Sequence, residues 1–159
     1  AGLARLPAMI ARPPRKFEDL AVGEERTSGW RTITTDEIVA FARKYDPQWF
    51  HSDIEAAKQS VFGEVVASGV QLLAIWRQLD HGINGDVDFV CGIGFDDYRM
   101  KRALRGGDRV RVSSRILELT PSTSRDDRGT VITDYSMVND QGQTILSFKS
   151  INLVHRRAG

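Results

Sequence analysis

The feature that most constrains the fold is a helix in residues 69–81 that is apolar on nearly every side. The segment reads GVQLLAIWRQLDH, and its apolar residues occupy more positions than a single buried stripe needs. A helix of this kind is stable only where other elements cover it, so we expect it to lie at the centre of the fold. Ser68 and Gln71 form a capping-box pattern at its start, and Gly82 is its predicted stop.

The chain after this helix alternates between apolar and polar residues with the period of two that is typical of β-strands. The pattern begins near residue 87 and is clearest in three segments: 109–119, 129–138 and 143–154. Turn-rich links at 121–127 and 139–142 predict successive antiparallel hairpins. We therefore expect an α+β fold in which one curved antiparallel sheet wraps around the long central helix.

A single domain is expected for a chain of 159 residues with 41% hydrophobic content. We assign residues 17–159 to it and expect residues 1–16, which prolines interrupt, to form a flexible arm. The strand-like segment RTSGWRTIT, at residues 26–34, is the predicted first strand, with Trp30 and Ile33 expected in the core.

Two helices are predicted between this strand and the central helix. Thr34 and Glu37 form a capping box for the first, which must end at Asp46 because the following proline disfavours the α conformation there. Ser52 and Glu55 form another box, which predicts the start of a second, short helix.

Composition argues against two classes of partner. The 22 basic and 21 acidic side chains nearly cancel and form no long block of one sign, so nothing favours nucleic acid or an anionic membrane. No stretch approaches the ~20 apolar residues of a membrane span. Cys91 is the single cysteine, so we expect a small core residue in a protein of the reducing cytoplasm, without an intrachain disulfide.

An acidic side chain and an imidazole lie five positions apart in YDPQWFHSD, at Asp46 and His51. The C-terminal end of a helix raises the pKa of a carboxyl, and the N-terminal end of the next helix favours a neutral imidazole. We therefore predict a raised pKa for Asp46 and a neutral His51, with one water held between them for acid/base chemistry. Both residue types are also common in turns and caps, so a structural role stays open.

A second candidate element is the start of the central helix, at Ser68 and Gly69. Free backbone N–H groups at a helix N-terminus suit a developing oxyanion, and a glycine lets a substrate carbonyl approach the chain closely. An ordinary N-cap is the alternative interpretation.

Basic residues concentrate around Arg99, Arg102 and Arg105. They are either solvated charges of strands and turns or anchors for the phosphates of a coenzyme A carrier. A metal site is not expected, because His51 and Asp53 lack a third ligand at a suitable spacing.

The run FARKYDPQWFHSDIEAAKQSVFGEVVASG, at residues 41–69, resembles the signature of the MaoC-like dehydratase family of (R)-specific enoyl-CoA hydratases. That signature, D-x-N-P-x-H, is followed by a helix and a small-residue turn. The resemblance implies a hotdog fold, a dimer, and hydration or dehydration of an acyl thioester. It also implies that Asp46 and His51 are the catalytic pair and that Gly69 is the oxyanion donor. Gln48 stands here at the position of the family's Asn.

We therefore expect a hydro-lyase that acts on a 2-enoyl thioester of coenzyme A or acyl carrier protein. No cofactor is expected beyond coenzyme A as part of the substrate, and the expected assembly is a homodimer or a dimer of dimers. Two alternatives stay open: a hotdog thioesterase that uses the same carboxylate, and a hotdog protein that binds acyl-CoA without catalysis.

Overall fold

The computed structural model describes residues 11–157. These residues form one 3-10 helix (Phe17–Asp19), four α-helices and six β-strands. The α-helices are α1 (Thr35–Tyr45), α2 (Trp49–Ser52), α3 (Ile54–Ala57) and α4 (Gly69–Asn84). The strands are β1 (Glu25–Thr27), β2 (Arg31–Thr32), β3 (Phe89–Met100), β4 (Arg109–Pro121), β5 (Arg128–Asn139) and β6 (Thr144–His155).

The strands form one antiparallel sheet in the order β1-β4-β5-β6-β3, with β2 also paired to β4. β4, β5 and β6 follow one another as hairpins, as the turn-rich links predict. Val112 lies opposite Met137, which lies opposite Leu146, and all three side chains are buried on the face that covers α4. A curved sheet around one long helix is the hotdog arrangement, so the predicted fold class is confirmed.

α4 is the central helix that the sequence predicts. Leu72, Ile75 and Trp76 are buried in one core with side chains of the long strands. The helix passes through Gly82, the predicted stop, and ends at Asn84. Glycine lowers helix propensity by about 1 kcal/mol, a cost that the packing of neighbouring residues against the sheet offsets here.

The three predicted capping boxes have different outcomes. The box of Thr34 and Glu37 is present at the start of α1. The short helix α3 is capped instead by Asp53, whose carboxylate accepts the Ala56 N–H at 3.0 Å. Ser52 ends α2, and its hydroxyl donates to a carbonyl within that turn. At α4 the Ser68 cap is present, but the amide of Gln71 donates to a carbonyl of α1 rather than to the cap.

The predicted first strand is broken into β1 and β2. Ile33 is completely buried, as expected, but Trp30 is partly exposed and lies over the guanidinium groups of Arg109 and Arg111, at 5.3 and 4.6 Å from their Cζ atoms. An indole can leave the core at low cost where cations cover its ring, so the expected burial of Trp30 was wrong.

Cys91 also differs from expectation, because it is exposed. It lies on β3, which pairs with β6 on one side only and forms an end of the sheet. Free cysteine is usually buried, but a strand at the end of a sheet has no neighbour on its outer side to cover its residues, so the expected burial of Cys91 was wrong.

Part of the expected arm contacts the domain. Arg15 forms a β-bridge with Val87, and Arg12 and Lys16 both form ion pairs with the buried Asp88, at 2.9 and 2.5 Å. Residues 1–10 lie outside the described residues, so the predicted flexibility there stays a prediction. Within residues 11–157, every helix is too short or too polar to cross a lipid bilayer.

Candidate active site

Asp46 is fixed in place by the end of α1. Its backbone N–H donates to Ala42 at 2.8 Å and completes the last turn, and Pro47 directs the chain away. The Asp46 carboxylate oxygen Oδ2 lies 3.7 Å from Nε2 of His51. The two groups that the sequence suggests as an acid/base pair are therefore brought together.

His51 lies within the single turn of α2, and the next helix, α3, begins after it at Ile54. Its side chain is buried, and Nδ1 lies 2.5 Å from the carbonyl oxygen of Val66. A carbonyl only accepts hydrogen bonds, so Nδ1 carries a proton. In the neutral ring, Nε2 then presents a lone pair toward Asp46. A water between the two groups would donate one hydrogen to Nε2 and one to the carboxylate.

The pKa of Asp46 is lowered, which corrects the prediction from the helix dipole. The Gln48 amide donates to the carboxylate at 2.9 Å and holds the pKa of Asp46 below its usual range, and the Ser68 hydroxyl acts in the same direction. Hydrogen bonds to the charged form outweigh a helix terminus, because they act at contact distance. Asp46 is thus ionised, and able to accept a proton, at neutral pH.

The start of α4 faces the same space. The Ser68 hydroxyl accepts the Val70 N–H at 3.1 Å, and the Ser68 carbonyl accepts the Leu72 N–H at 3.0 Å. The N–H of Gly69 has no acceptor among residues 11–157. A free N–H at a helix N-terminus is a donor for an anionic oxygen.

One cavity of about 690 Å³ connects these groups. Asp46, Gln48 and His51 contribute polar groups to its lining. Apolar side chains line most of the rest: Phe62, Val66, Ala67, Val70, Leu72, Leu73, Met100 and Ala103. A largely apolar cavity with a few converging polar groups is typical of a small-molecule site.

The end of β3 forms one wall of this cavity. The strand has an irregularity between Asp96 and Arg99, where Asp97 adopts a φ of 53°, in the left-handed region that aspartate tolerates better than most residues. Beyond it, the Tyr98 hydroxyl donates to the Gly69 carbonyl at 3.2 Å, and Met100 packs so closely on Gly69 that a Cβ there would overlap its sulfur. A side chain at position 69 would therefore have to displace the flexible end of Met100.

The three arginines that the sequence suggests as carrier contacts lie at different distances from the cavity. Arg102 lines the cavity, and Arg105 lines a neighbouring depression. Arg105 is held by the carbonyl of Phe62 at 3.3 Å and by Glu64 at 3.5 Å. Arg99 lines neither space. Its neighbours on β3, Tyr98 and Met100, both line the cavity, and alternate side chains of a strand lie on opposite faces.

Three contacts in the site were not predicted from the sequence: the hydrogen bond of the Gln48 amide to Asp46, that of the Val66 carbonyl to His51, and that of the Tyr98 hydroxyl to Gly69. Gln48 is two positions from Asp46, so local spacing could have indicated it. Val66 and Tyr98 reach the site only through tertiary packing, and no local pattern marks them.

The model of the MaoC-like domain family matches residues 17–140. The chain belongs to the MaoC-like domain family. It is 34% identical over 113 residues to 3-hydroxyacyl-thioester dehydratase Z of Mycobacterium tuberculosis, covering 65% of this chain and 74% of that protein.

Solved structures of family members agree with this assignment. The crystal structure of a MaoC-like dehydratase from Rhodospirillum rubrum matches with a TM-score of 0.84 and 33% identity, covering 92% of this chain and 100% of that one. The (R)-hydratase of A. caviae involved in PHA biosynthesis matches with a TM-score of 0.69 at 18% identity, covering 85% and 97%. The second likeness supports the fold alone.

Proposed function

We propose that this MaoC-like protein adds water to, or removes it from, the double bond of a 2-enoyl thioester. The observation that carries the proposal is the 3.7 Å approach of the Asp46 carboxylate to Nε2 of His51, in the cavity that also holds the free N–H of Gly69. Relatives that are named dehydratases make this reaction class the expected one.

In the direction of hydration, the first step is attack of water on the β-carbon. The water donates its hydrogens to Asp46 and to Nε2 of His51, which orients an oxygen lone pair toward the substrate. As the C–O bond forms, Asp46 accepts one proton, and the π electrons move onto the thioester as an enolate. The proton that Val66 holds on Nδ1 keeps Nε2 free for this task.

The second step returns the proton. The Gly69 N–H donates to the enolate oxygen, whose charge is larger than that of the ground-state carbonyl, so this contact favours the intermediate. The proton on Asp46 then passes to Nε2 of His51, 3.7 Å away, and from Nε2 to the α-carbon as the enolate collapses, which returns both side chains to their starting states. The product contains both hydrogens and the oxygen of one water, and no cofactor is consumed.

The expected carrier is coenzyme A or acyl carrier protein. Arg102 at the cavity and Arg105 beside it are the proposed contacts for carrier phosphates. Guanidinium groups suit this role because they bind phosphate oxygens through two parallel hydrogen bonds.

Incubation with crotonyl-CoA tests the proposed function. A hydratase removes the enoyl absorbance without releasing thiol, and chiral analysis of the 3-hydroxybutyryl product should give the (R) isomer. Release of free thiol would instead identify a thioesterase. Binding without either change would identify a non-catalytic acyl-CoA protein.

A further inference from the structure

One flexible side chain fills the space beside the Gly69 backbone. A Cβ built on Gly69 would overlap Sδ of Met100 and would lie 3.3 Å from its Cε and 3.8 Å from its Cγ. Apart from the chain around Gly69 itself, these three atoms are the nearest to that position in the described part of the protein. Both residues line the active-site cavity, so the Met100 thioether lies where a substrate approaches Gly69.

The backbone of Met100 is held close to Gly69. Met100 is the last residue of β3, and the N–H of the next residue, Lys101, donates to the carbonyl of Ile145 at 2.8 Å. The Tyr98 hydroxyl donates to the Gly69 carbonyl at 3.2 Å and connects the same strand to α4. Only the side chain of Met100, which is 60% exposed, can move away, by rotation about the bonds of its unbranched stem.

The proposed reaction brings the α-carbon of the substrate next to this side chain. The Gly69 N–H donates to the thioester oxygen in that reaction, with about 2.9 Å between nitrogen and oxygen. The α-carbon is two bonds from this oxygen, so it lies within roughly 5 Å of the Gly69 nitrogen. The β-carbon faces Asp46 and His51, and an unbranched chain continues from there. A substituent on the α-carbon, in contrast, shares the space beside Gly69 with the Met100 thioether.

We infer that Met100 is a specificity-determining residue that selects against a branch on the α-carbon of the acyl group. The inference rests on the proposed function, which it extends to the shape of the substrate. An α-methyl group displaces the thioether from Gly69 or shifts the thioester away from the N–H, and either change weakens stabilisation of the enolate. Because the thioether is flexible, the expected discrimination is about tenfold, the low end of the range for one methyl group in an apolar pocket.

The test compares crotonyl-CoA with 2-methylcrotonyl-CoA. The methyl group also alters the intrinsic reactivity of the double bond, so the measured quantity is how each variant changes the ratio of kcat/KM for the two esters. Met100→Ala should shift this ratio toward the branched ester by about tenfold, and Met100→Leu, which keeps nearly the same volume, should leave it in place. Phe62→Ala is the matched control, because it removes a large apolar side chain from the same cavity but not the one beside Gly69, and it should not change the ratio.

Two further measurements distinguish a site for the branch from a general gain of space. The chain of trans-2-hexenoyl-CoA is longer only beyond the β-carbon, so this ester should not gain relative to crotonyl-CoA in Met100→Ala. Gly69→Ala keeps the N–H but adds a Cβ that overlaps the thioether, so it should lower kcat/KM for crotonyl-CoA. Adding Met100→Ala to Gly69→Ala should restore it. An equal gain for the hexenoyl and branched esters, or no restoration in the double variant, would contradict the inference.

Calorimetry with saturated esters separates failure of the inference from failure of the proposed function. Butyryl-CoA and 2-methylbutyryl-CoA differ by the same α-methyl group and have no double bond to hydrate. Tighter binding of butyryl-CoA by the wild type, lost in Met100→Ala and kept in Met100→Leu, would support the inference even if neither enoyl ester is hydrated. Equal binding of the two saturated esters by the wild type, or an unchanged kcat/KM ratio in Met100→Ala, would overturn it while leaving the hydratase chemistry intact.

Discussion

Asp46 and His51 act on one water in the proposed reaction, so loss of either should abolish hydration. Asp46→Asn keeps the size of the side chain but cannot accept a proton, and loss of a general base lowers rate by about 10²–10⁴-fold. His51→Ala should have a similar effect, and the double variant should be little worse than the poorer single variant, because the groups work as a unit. Steady-state kinetics with crotonyl-CoA gives these rates.

The control for these variants is Asp53→Asn, which changes a nearby carboxylate that caps α3. It should retain turnover, since asparagine is also a good cap. Unchanged melting temperatures in all variants would assign the losses to chemistry. Retained hydration in Asp46→Asn would contradict the mechanism and leave Asp46 and His51 as turn and cap residues.

We expect Gln48 to set the lower pH limit of the proposed activity through its hydrogen bond to Asp46. Because the folded-state pKa of Asp46 lies below its usual value, the carboxylate base is available down to that lowered pKa and is lost as the pH falls through it. Gln48→Ala removes the largest cause of the shift, so the acidic limb of kcat/KM should move to higher pH. Gln59→Ala, which removes a glutamine that does not hydrogen-bond Asp46, should leave the limb in place. An unmoved limb in Gln48→Ala would show that another group controls it.

At the scale of single residues, the sequence predicts which side chains form the site better than it predicts their pKa values and contacts. Asp46 and His51 come together because a proline turn and one helical turn separate them, and local rules describe both. The direction of the Asp46 pKa depends on Gln48 and Ser68, and Ser68 arrives from another element. A local dipole argument therefore predicted the wrong sign.

At the scale of elements, the two ends of α4 make different contacts: the start faces the cavity, and the other end is hydrogen-bonded to the sheet. Near the end distant from Gly69 lies Asp80, a buried carboxylate in the last turns, where the helix dipole disfavours negative charge. It accepts hydrogen bonds from Tyr135 at 2.6 Å, Asn84 at 2.8 Å and Arg77 at 2.9 Å. These donors connect the helix to β5 and offset the cost of burying the charge.

Tyr135→Phe should therefore lower the free energy of unfolding by about 1.5–3 kcal/mol, the usual value for a hydrogen bond to a charged group. The ring contacts with Trp76 and Phe148 are kept. Turnover should be unaffected, because Asp80 lies roughly 16 Å along the helix from Gly69. Urea denaturation with an unchanged m-value measures the loss.

Tyr98→Phe is the comparison, since its hydroxyl donates to a neutral carbonyl and its loss should lower stability by only about 0.5–1.5 kcal/mol. Equal losses in the two variants would mean that the Asp80 carboxylate adds nothing to the Tyr135 hydrogen bond.

The order and type of the elements follow from periodicity, whereas their ends do not. α4 and the long strands are where the apolar patterns predict them. The cap of α3 is Asp53 rather than Ser52, and α4 runs beyond Gly82. Neighbouring positions for a helix end differ little in local free energy, so the tertiary contacts of the folded chain decide between them. The split of the first strand and the exposed Trp30 arise from cross-strand arginines that no local pattern reveals.

At the scale of the whole molecule, β3 is an open edge. Within the described part of the chain no strand covers its outer side, and Ile93 and Phe95 on it are 56% and 45% exposed. Unpaired edges with apolar side chains favour association, and most homo-oligomers close through a twofold axis. We expect a dimer in which this edge meets a second copy, close to the cavity wall formed by Tyr98 and Met100.

Light scattering at micromolar concentration should give twice the mass of the chain. Ile93→Asp should shift the equilibrium to the monomer, because a charge buried in the contact is unfavourable. It should also reduce turnover, since the wall of the cavity next to β3 would lose its support. Val22→Asp, at an apolar residue that is 63% exposed and precedes β1 at the other end of the sheet, is the matched control and should change neither mass nor activity. A monomeric wild-type protein would contradict the expected dimer, and an Ile93→Asp variant that stays dimeric would place the contact elsewhere than β3.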